Sequence, residues 1–421
     1  MKAFQIFFSI LFLGFAWTAL AADLKAPMEL ETTQVLPNHV GNPRLKNLFM
    51  TIDSRYNGEG IVEPLGNKFN KSVSWQNLID SQASDLEKTK LKGLLKANNI
   101  SDAEWKTDGP GSVTGKVNTS IQAKVPVLAF GVTNRLTLAL AVPVLKIQAS
   151  VDTGFDTAKH PSGERFMSSL CEADPVKCNE VNHKLRNAIG MKLAALGYEP
   201  LQSKTVSGIG DIKLVGKYKL HQDSVSNFTV KSEVTFPTGI KPNPDQVVDL
   251  PTGDGQYDLG AMLIWDYQLR EGLKMNAFGG YTAQLPDQIV KRIPTAEDSL
   301  SSTKELLKRN LGDVVSCGAG FTYEFPSTGL NIGAGYSFQY LGQTHYKDGQ
   351  YDSSRYRLLE GDAPLQTLHS ATLMAGFSTV GWYQEKKFVY PFQANLAFSQ
   401  PLSGKNVTKN NVLMAELVLF F

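Results

Sequence analysis

The sequence predicts an all-β chain: a transmembrane antiparallel β-barrel of about twelve strands with helical extracellular loops. Three observations carry this reading. Apolar residues alternate with small or polar ones in runs of roughly ten or more, about what a tilted strand needs to cross a bilayer and longer than the ~5–6 of soluble sheets. Short and long connections between these runs alternate along the chain. The last run ends on an aromatic residue, Phe421.

At the start, Met1-Lys2 precedes an apolar run from Ala3 to Ala16, and Ala19-Leu20-Ala21 follows. A basic start, a short apolar core and small residues at a cut predict a signal peptide over 1–21. The core is too short to span ~30 Å comfortably, and no cysteine follows the cut to carry a lipid. Residues 22–45 are expected to form an N-terminal periplasmic or plug segment. The barrel is expected over 46–421, with helical loop inserts at 57–114 and 151–207. No later stretch approaches the ~18–20 apolar residues of a transmembrane helix. A net charge of +2 gives no reason to expect nucleic acid as a partner.

The clearest strand places Leu330, Ile332, Ala334, Tyr336, Phe338 and Tyr340 on one face and Asn331, Gly333, Gly335, Ser337 and Gln339 on the other. Successive side chains of a strand point to opposite faces, so one side is apolar and the other small and polar. The pattern returns in Phe388–Phe398, Ile212–Leu220 and Phe228–Phe236. Strands are expected near 46–56, 115–129, 134–150, 208–221, 226–237, 256–268, 272–285, 312–325, 329–342, 368–382, 387–399 and 409–421; fourteen is the alternative count. The connections at 131–134, 221–226, 269–272, 326–328 and 384–387 are short. Those at 57–114, 151–207, 238–255, 286–311, 343–367 and 400–408 are longer. Tight periplasmic turns and long outer loops are the pattern of an outer-membrane barrel, and an even strand number puts both termini in the periplasm. Outer-membrane lipid would cover its apolar face. Leu413, Ala415, Leu417, Leu419 and Phe421 share one face, an ending that resembles the signal read by the barrel-assembly machinery.

Within the loops, Leu78, Ile79, Leu86, Leu91, Leu94 and Leu95 predict helix, as do Val181, Leu185, Ile189, Leu193 and Leu196, and also Leu300, Leu306, Leu307 and Leu311. Their apolar faces either pack together as a cap or form a landing site for a greasy ligand. Three cysteines exclude a disulfide framework or a zinc cluster. Cys171 and Cys178 share one loop of an exported chain and can pair as a disulfide, whereas Cys317 falls on the lipid face.

Asp211, Lys213, Lys217, Lys219, Lys231, Glu233, Asp258, Asp266, Lys274, Glu324 and Glu416 fall on the lumen face. Both signs occur on neighbouring strands. They either form cross-strand ion pairs that fill the barrel or line a polar conduction path. Pro126, Pro143 and Pro391 lie inside expected strands, where each marks a bulge or a lateral opening. His39, His160, His183, His221, His345 and His369 fall in loops, at strand ends or in the leader, none mid-strand beside an obvious Ser or Asp. Neither a phosphate loop nor metal-ligand spacing is present, so no cofactor, metal or catalysis is expected.

Several motifs resemble a known family. Ala129-Phe130-Gly131-Val132-Thr133-Asn134-Arg135-Leu136-Thr137-Leu138 is similar to the first tight turn of the outer-membrane barrels associated with the meta-pathway of phenol degradation, relatives of the FadL-type fatty-acid transporters. Gly208-Ile209-Gly210-Asp211-Ile212 resembles their second marker. Phe236-Pro237-Thr238-Gly239 and Gly253-Asp254-Gly255-Gln256-Tyr257-Asp258-Leu259-Gly260 resemble the third. The resemblance spans roughly 115–421 and implies passage of hydrophobic or aromatic small molecules through the outer membrane. The alternative is a structural or surface-interaction barrel with a filled lumen.

Overall fold

The computed structural model describes residues 30–421 apart from 81, 83, 296–299 and 352. The expected signal peptide lies outside the described residues. Twelve strands pair in sequence order: β1 Gly41–Tyr56, β2 Gly111–Gly131, β3 in two pieces, Leu136–Ala141 and Val144–Asp156, β4 also in two, Lys204–Ile209 and Ile212–Gln222, β5 Ser226–Phe236 and β6 Asp258–Arg270. Then come β7 Leu273–Gln284, β8 Val314–Glu324, β9 Leu330–Leu341, β10 Gln366–Ser378, β11 Phe392–Lys405 and β12 Val407–Leu419. The first strand closes the ring, because Leu48 pairs with Ala123 of β2 on one side and with Met414 of β12 on the other. The result is a closed antiparallel barrel of twelve strands. Closure gives the first and last strands each other as partners, which an open sheet in hydrocarbon would leave as bare edges.

The pleat sorts the side chains as the alternation required. Leu128, Leu263, Ile332 and Leu373 point outward and are 58%, 49%, 49% and 62% exposed. Such a belt is stable only against lipid. Cys317 shares this outer face and is exposed. Inward positions carry Thr229, Asn276, Ser337 and Ser370, all buried.

One end of the barrel carries mostly short turns. Gly329 (φ 74°) makes the β8–β9 turn, and a Cβ there would lie 2.3 Å from the Ser378 carbonyl oxygen. The start of β1 meets the C-terminal residue at this rim: Gly41 N donates to Phe421 O at 2.8 Å and Phe421 N to Gly41 O at 3.1 Å.

The other end carries the long loops. The first two supply α1 Trp75–Asp80, α2 Asp85–Ala97, α3 Glu104–Thr107, α4 Pro161–Ala173 and α5 Pro175–Ala195. Ser84 caps α2: its hydroxyl accepts from Glu87 N and donates to the Glu87 carboxylate. Pro161 and Pro175 open α4 and α5, where a missing N–H costs nothing. Trp75, Leu78, Ile79, Leu91 and Leu95 pack against Phe166, Met167 and Val181, so the helices of the first two loops bury their apolar faces on one another. Cys171 and Cys178 are bonded to each other there.

Four expectations are corrected. The leucines at 300–311 do not form a helix. Lys304–Asn310 is a strand between Asp287–Arg292 and His345–Lys347. Spacings of six and seven suit either structure, and the matching run Gln288-Ile289-Val290 supplies the partner that decides. The connection at 400–408 is not a long loop. β11 and β12 extend beyond their expected ends, leaving Asn406 alone between them at φ 53°, a left-handed position that Asn tolerates. The connection at 384–387 is not a tight turn. A short helix, α7 Val380–Gln384, starts it, and β11 begins only at Phe392. Pro391 therefore lies outside the strand. A further helix, α6 Ser353–Asp362, was not anticipated.

Candidate functional site

The lumen is occupied by the chain's own N-terminal segment. Leu30 lies where a Cβ on Gly335 would come within 2.2 Å of its Cδ2. The Glu31 carboxylate takes Lys231 Nζ at 2.6 Å and Lys217 Nζ at 3.2 Å. Thr33 donates from both N and Oγ1 to Asp266, at 3.0 and 2.7 Å. Lower down, Leu36 N donates to Thr137 Oγ1 at 2.7 Å. The segment thus crosses from β8 and β9 to β3, tied at each step.

Lys217, Lys231 and Asp266 hold this filling, and the other lumen-face charges pair within the barrel. Lys213 pairs with Glu233 at 2.6 Å, and Lys231 also reaches Glu233 at 3.6 Å. Lys274 pairs with Glu324 at 2.8 Å. Lys219 donates to Gln222 at 3.1 Å, and Asp258 accepts from Gln256 at 3.2 Å. Glu416 has Lys46 at 3.8 Å, Arg44 at 3.9 Å and Asn395 Nδ2 at 2.9 Å. The pairing of Lys217 and Lys231 with Glu31, and of Asp266 with Thr33, could not be read from strand alternation.

Two neighbouring strands of the barrel wall are interrupted side by side. β3 breaks at Val142-Pro143 and β4 beside it at Gly210-Asp211. Between the pairs Ala141↔Lys213 and Val144↔Ile209, two residues of β3 face three of β4, a bulge. Pro126 on β2 lies opposite Val142. Each proline removes one ladder bond. Val142 N donates to Pro126 O at 3.1 Å, and Gly210 N to Pro143 O at 2.8 Å. The reciprocal donors do not exist, because proline has no N–H.

A loop closes this seam where a strand would otherwise do so. Lys204–Ile209 pairs with β3 only, and the connection 238–255 covers its other edge. Thr238 Oγ1 donates to Gly210 O at 2.8 Å, and Thr252 Oγ1 to Ile209 O at 2.7 Å. The Asp211 carboxylate accepts Gly239 N at 2.9 Å and Asp254 N at 3.2 Å. The Asp211 carboxylate lies so close to the Gly253 backbone that a Cβ there would come within 2.4 Å of Asp211 Oδ1. The Gly208–Ile212, Phe236–Gly239 and Gly253–Gly260 motifs, separate in sequence, therefore meet at one point.

The seam sits at the edge of the apolar belt. Below it Leu128 and Leu140 face outward; Val144 and Ile209 flank it, 45% and 50% exposed. Above it the outward positions turn polar, with Lys124, Lys146 and Gln148. Inside, the 238–255 loop folds into the mouth, burying Val247, Val248 and Leu250 against Met50, Ile121 and Ile147. Between this loop and the small sheet of Asp287–Arg292, Lys304–Asn310 and His345–Lys347 lies a cavity of about 350 Å³. Met50, Ile121, Leu145 and Ile147 give it an apolar floor, and Asp211, Thr252 and Gly253 of the seam form part of its lining. Of the three prolines, Pro126 and Pro143 belong to this site, whereas Pro391 lies at the rim with the turns, where its carbonyl accepts Phe420 N at 3.2 Å.

One polar chain escaped the sequence reading. His160 Nδ1 donates to Asp108 Oδ1 at 2.9 Å and Nε2 accepts from Ser112 Oγ at 2.7 Å. The connectivity is that of a nucleophilic triad, but Asp108 also receives Ser162 N and Gly109 N, and the cavity lining excludes all three residues. The arrangement fastens the start of α4 to β2. Burial raises the Asp108 carboxyl, but hydrogen bonds from Ser162, Gly109 and His160 outweigh it and hold the group below the usual carboxylate range.

No family model matches the chain, and no curated protein matches its sequence. Among solved structures, a COG4313 outer membrane channel from Pseudomonas putida F1 aligns over 94% of this chain and 100% of its own, with 12% identity and a TM-score of 0.52. The Pseudomonas putida toluene transporter TodX aligns over 97% and 98%, with 11% identity and a TM-score of 0.35. A Pseudomonas aeruginosa FadL homologue aligns over 97% and 98%, with 10% identity and a TM-score of 0.33. At such identities the first likeness speaks to architecture, and it agrees with the strand pairing: the chain has the fold of an outer-membrane channel, a closed barrel of twelve antiparallel strands.

Proposed function

We propose that this barrel admits hydrophobic or aromatic small molecules at its looped end and passes them sideways through the seam into the membrane. The observation that carries the reading is the meeting of an apolar-floored cavity with a stretch of wall held by loop hydroxyls. An apolar solute gains nothing from the charged lumen, because desolvating ion pairs against it is costly. Lateral exit beside Val144 and Ile209 avoids that cost and ends in hydrocarbon. The proposal places the long loops outside the cell and both termini in the periplasm. The resemblance of the seam motifs to the phenol meta-pathway barrels, and the channel named among the structural neighbours, support the same reading.

The filled lumen also suits a surface-interaction barrel without transport; that reading leaves the cavity without a role. Proteoliposomes separate the two. The transport reading expects uptake of a labelled hydrophobic compound above that of empty liposomes, with little single-channel ion conductance. Absence of uptake favours the surface-interaction barrel.

A further inference from the structure

The outer face of the wall above the seam carries two like charges side by side. Going up β2 from the turns, the outward positions run Phe130, Leu128, Pro126, Lys124 and Gln122; on β3 they run Leu140, Val144, Lys146 and Gln148. Lys124 stands opposite Val144 and Lys146 opposite Gln122. The two lysines are therefore diagonal neighbours, about 7–8 Å apart, near enough for both side chains to reach one group. Around them in register lie Asn47 on β1, Gln122 on β2, Val144 and Gln148 on β3 and Ser207 on β4, none of them acidic. Higher on the same two strands, by contrast, Lys116 stands opposite Asp152, a pairing of unlike charges that stabilises an exposed sheet face. Like charges held together repel, and an anion seated between them removes that repulsion.

We propose that Lys124 and Lys146 bind the phosphate of an outer-leaflet glycolipid and hold that lipid against the wall at the upper lip of the seam. Their height points to a lipid headgroup. Each is the first polar outward position above the apolar belt on its strand, so its ammonium lies where hydrocarbon gives way to headgroups. Below them Leu128 and Leu140 face outward and are exposed, a surface on which acyl chains would lie. Beside them Gln122 and Gln148 are exposed and offer carboxamide donors and acceptors to sugar hydroxyls. A cation pair flanked by carboxamides suits a phosphorylated sugar better than a bare phosphodiester. The choice of leaflet rests on the placement of the long loops outside the cell proposed above; the cation pair stands without it.

The test measures lipid binding by native mass spectrometry on the full folded barrel in detergent, titrated with diphosphoryl lipid A, its dephosphorylated form and phosphatidylglycerol. Wild type is expected to prefer diphosphoryl lipid A to the other two. Lys124→Gln with Lys146→Gln should weaken that binding about 30-fold, the size expected of two lysines at an anionic surface, whereas Lys124→Arg with Lys146→Arg should retain most of it. Lys90→Gln with Lys106→Gln removes the same charge from the loop helices and should leave binding unchanged. Equal binding of the dephosphorylated lipid, no loss in the Lys124/Lys146 Gln pair, or the same loss in the Lys90/Lys106 pair overturns the site. Phosphatidylglycerol bound as tightly as lipid A, with the same dependence on Lys124 and Lys146, overturns the glycolipid assignment and counts against the orientation. Uptake into liposomes of phosphatidylcholine alone reports on transport without this lipid, so failure of the site and failure of the transport reading are separate results.

Discussion

Restoring the two missing donors of the seam tests the lateral route directly. In wild type, Gly210 N donates to Pro143 O at 2.8 Å, but Gly210 O receives the Thr238 hydroxyl in place of a backbone N–H. Val142 N likewise donates to Pro126 O at 3.1 Å with no bond in return. Pro126→Ala and Pro143→Ala each add one N–H facing a carbonyl already in register. A net backbone hydrogen bond contributes about 0.5–1.5 kcal/mol, so the pair should favour the closed seam by about 1–3 kcal/mol. A shift of that size lowers the population of an open state by about 5- to 150-fold. Losing two prolines also loosens the unfolded chain, costing roughly 0.4–1 kcal/mol each. Global stability should therefore change little while opening becomes rarer. The assay is uptake of a fluorescent hydrophobic probe by proteoliposomes, normalised to folded barrel by its heat-shifted gel mobility. A large fall in uptake at constant folded protein is expected. Uptake equal to wild type in the double variant would refute the seam as the route.

The opposite perturbation, Thr238→Val with Thr252→Val, removes the hydroxyls that hold the loop to Gly210 O and Ile209 O, at about 1 kcal/mol each, and should raise probe leakage. Ala334→Arg faces lipid and should cost about 2–4 kcal/mol if near the midplane, whereas Gly335→Arg should instead expel Leu30 and expose the 30–40 segment to protease; urea unfolding and limited proteolysis distinguish the two. Asp108 contributes stability that is present above the ordinary carboxylate range and lost as pH falls through its lowered value, so Asp108→Asn should reduce hydrogen-exchange protection of Ser162 N at pH 6. That difference should shrink as pH falls below the ordinary carboxylate range and the Asp108 carboxylate is protonated. Protease added to intact cells should cut within 57–114 and 151–207 and spare 384–387; the reverse pattern would overturn the proposed orientation.

The barrel was legible because a strand has a period of two. Each residue between Leu330 and Leu341 declares its face by parity alone, so an apolar-out, small-in pattern of membrane length needs no knowledge of its neighbours. The helices of the first two loops were legible for the same reason, with leucines such as Leu91 and Leu95 at helical spacing. Where two periods fit equally, as at Leu306 and Leu307, the sequence left the structure open, and pairing with Ile289 and Val290 settled it. Pro126 and Pro143 announced irregularity without location, and Pro391, which gives the same signal, lies outside the wall. Only the tertiary structure brought Pro126, Pro143 and Gly210 side by side, laid Thr238 and Thr252 across the break and packed Glu31 between Lys217 and Lys231. Those contacts join residues about 17 to 200 positions apart, through loops and an N-terminal segment that carry no period. A local sequence pattern records which way a side chain points, but the partner it meets is fixed by closure of the barrel around it.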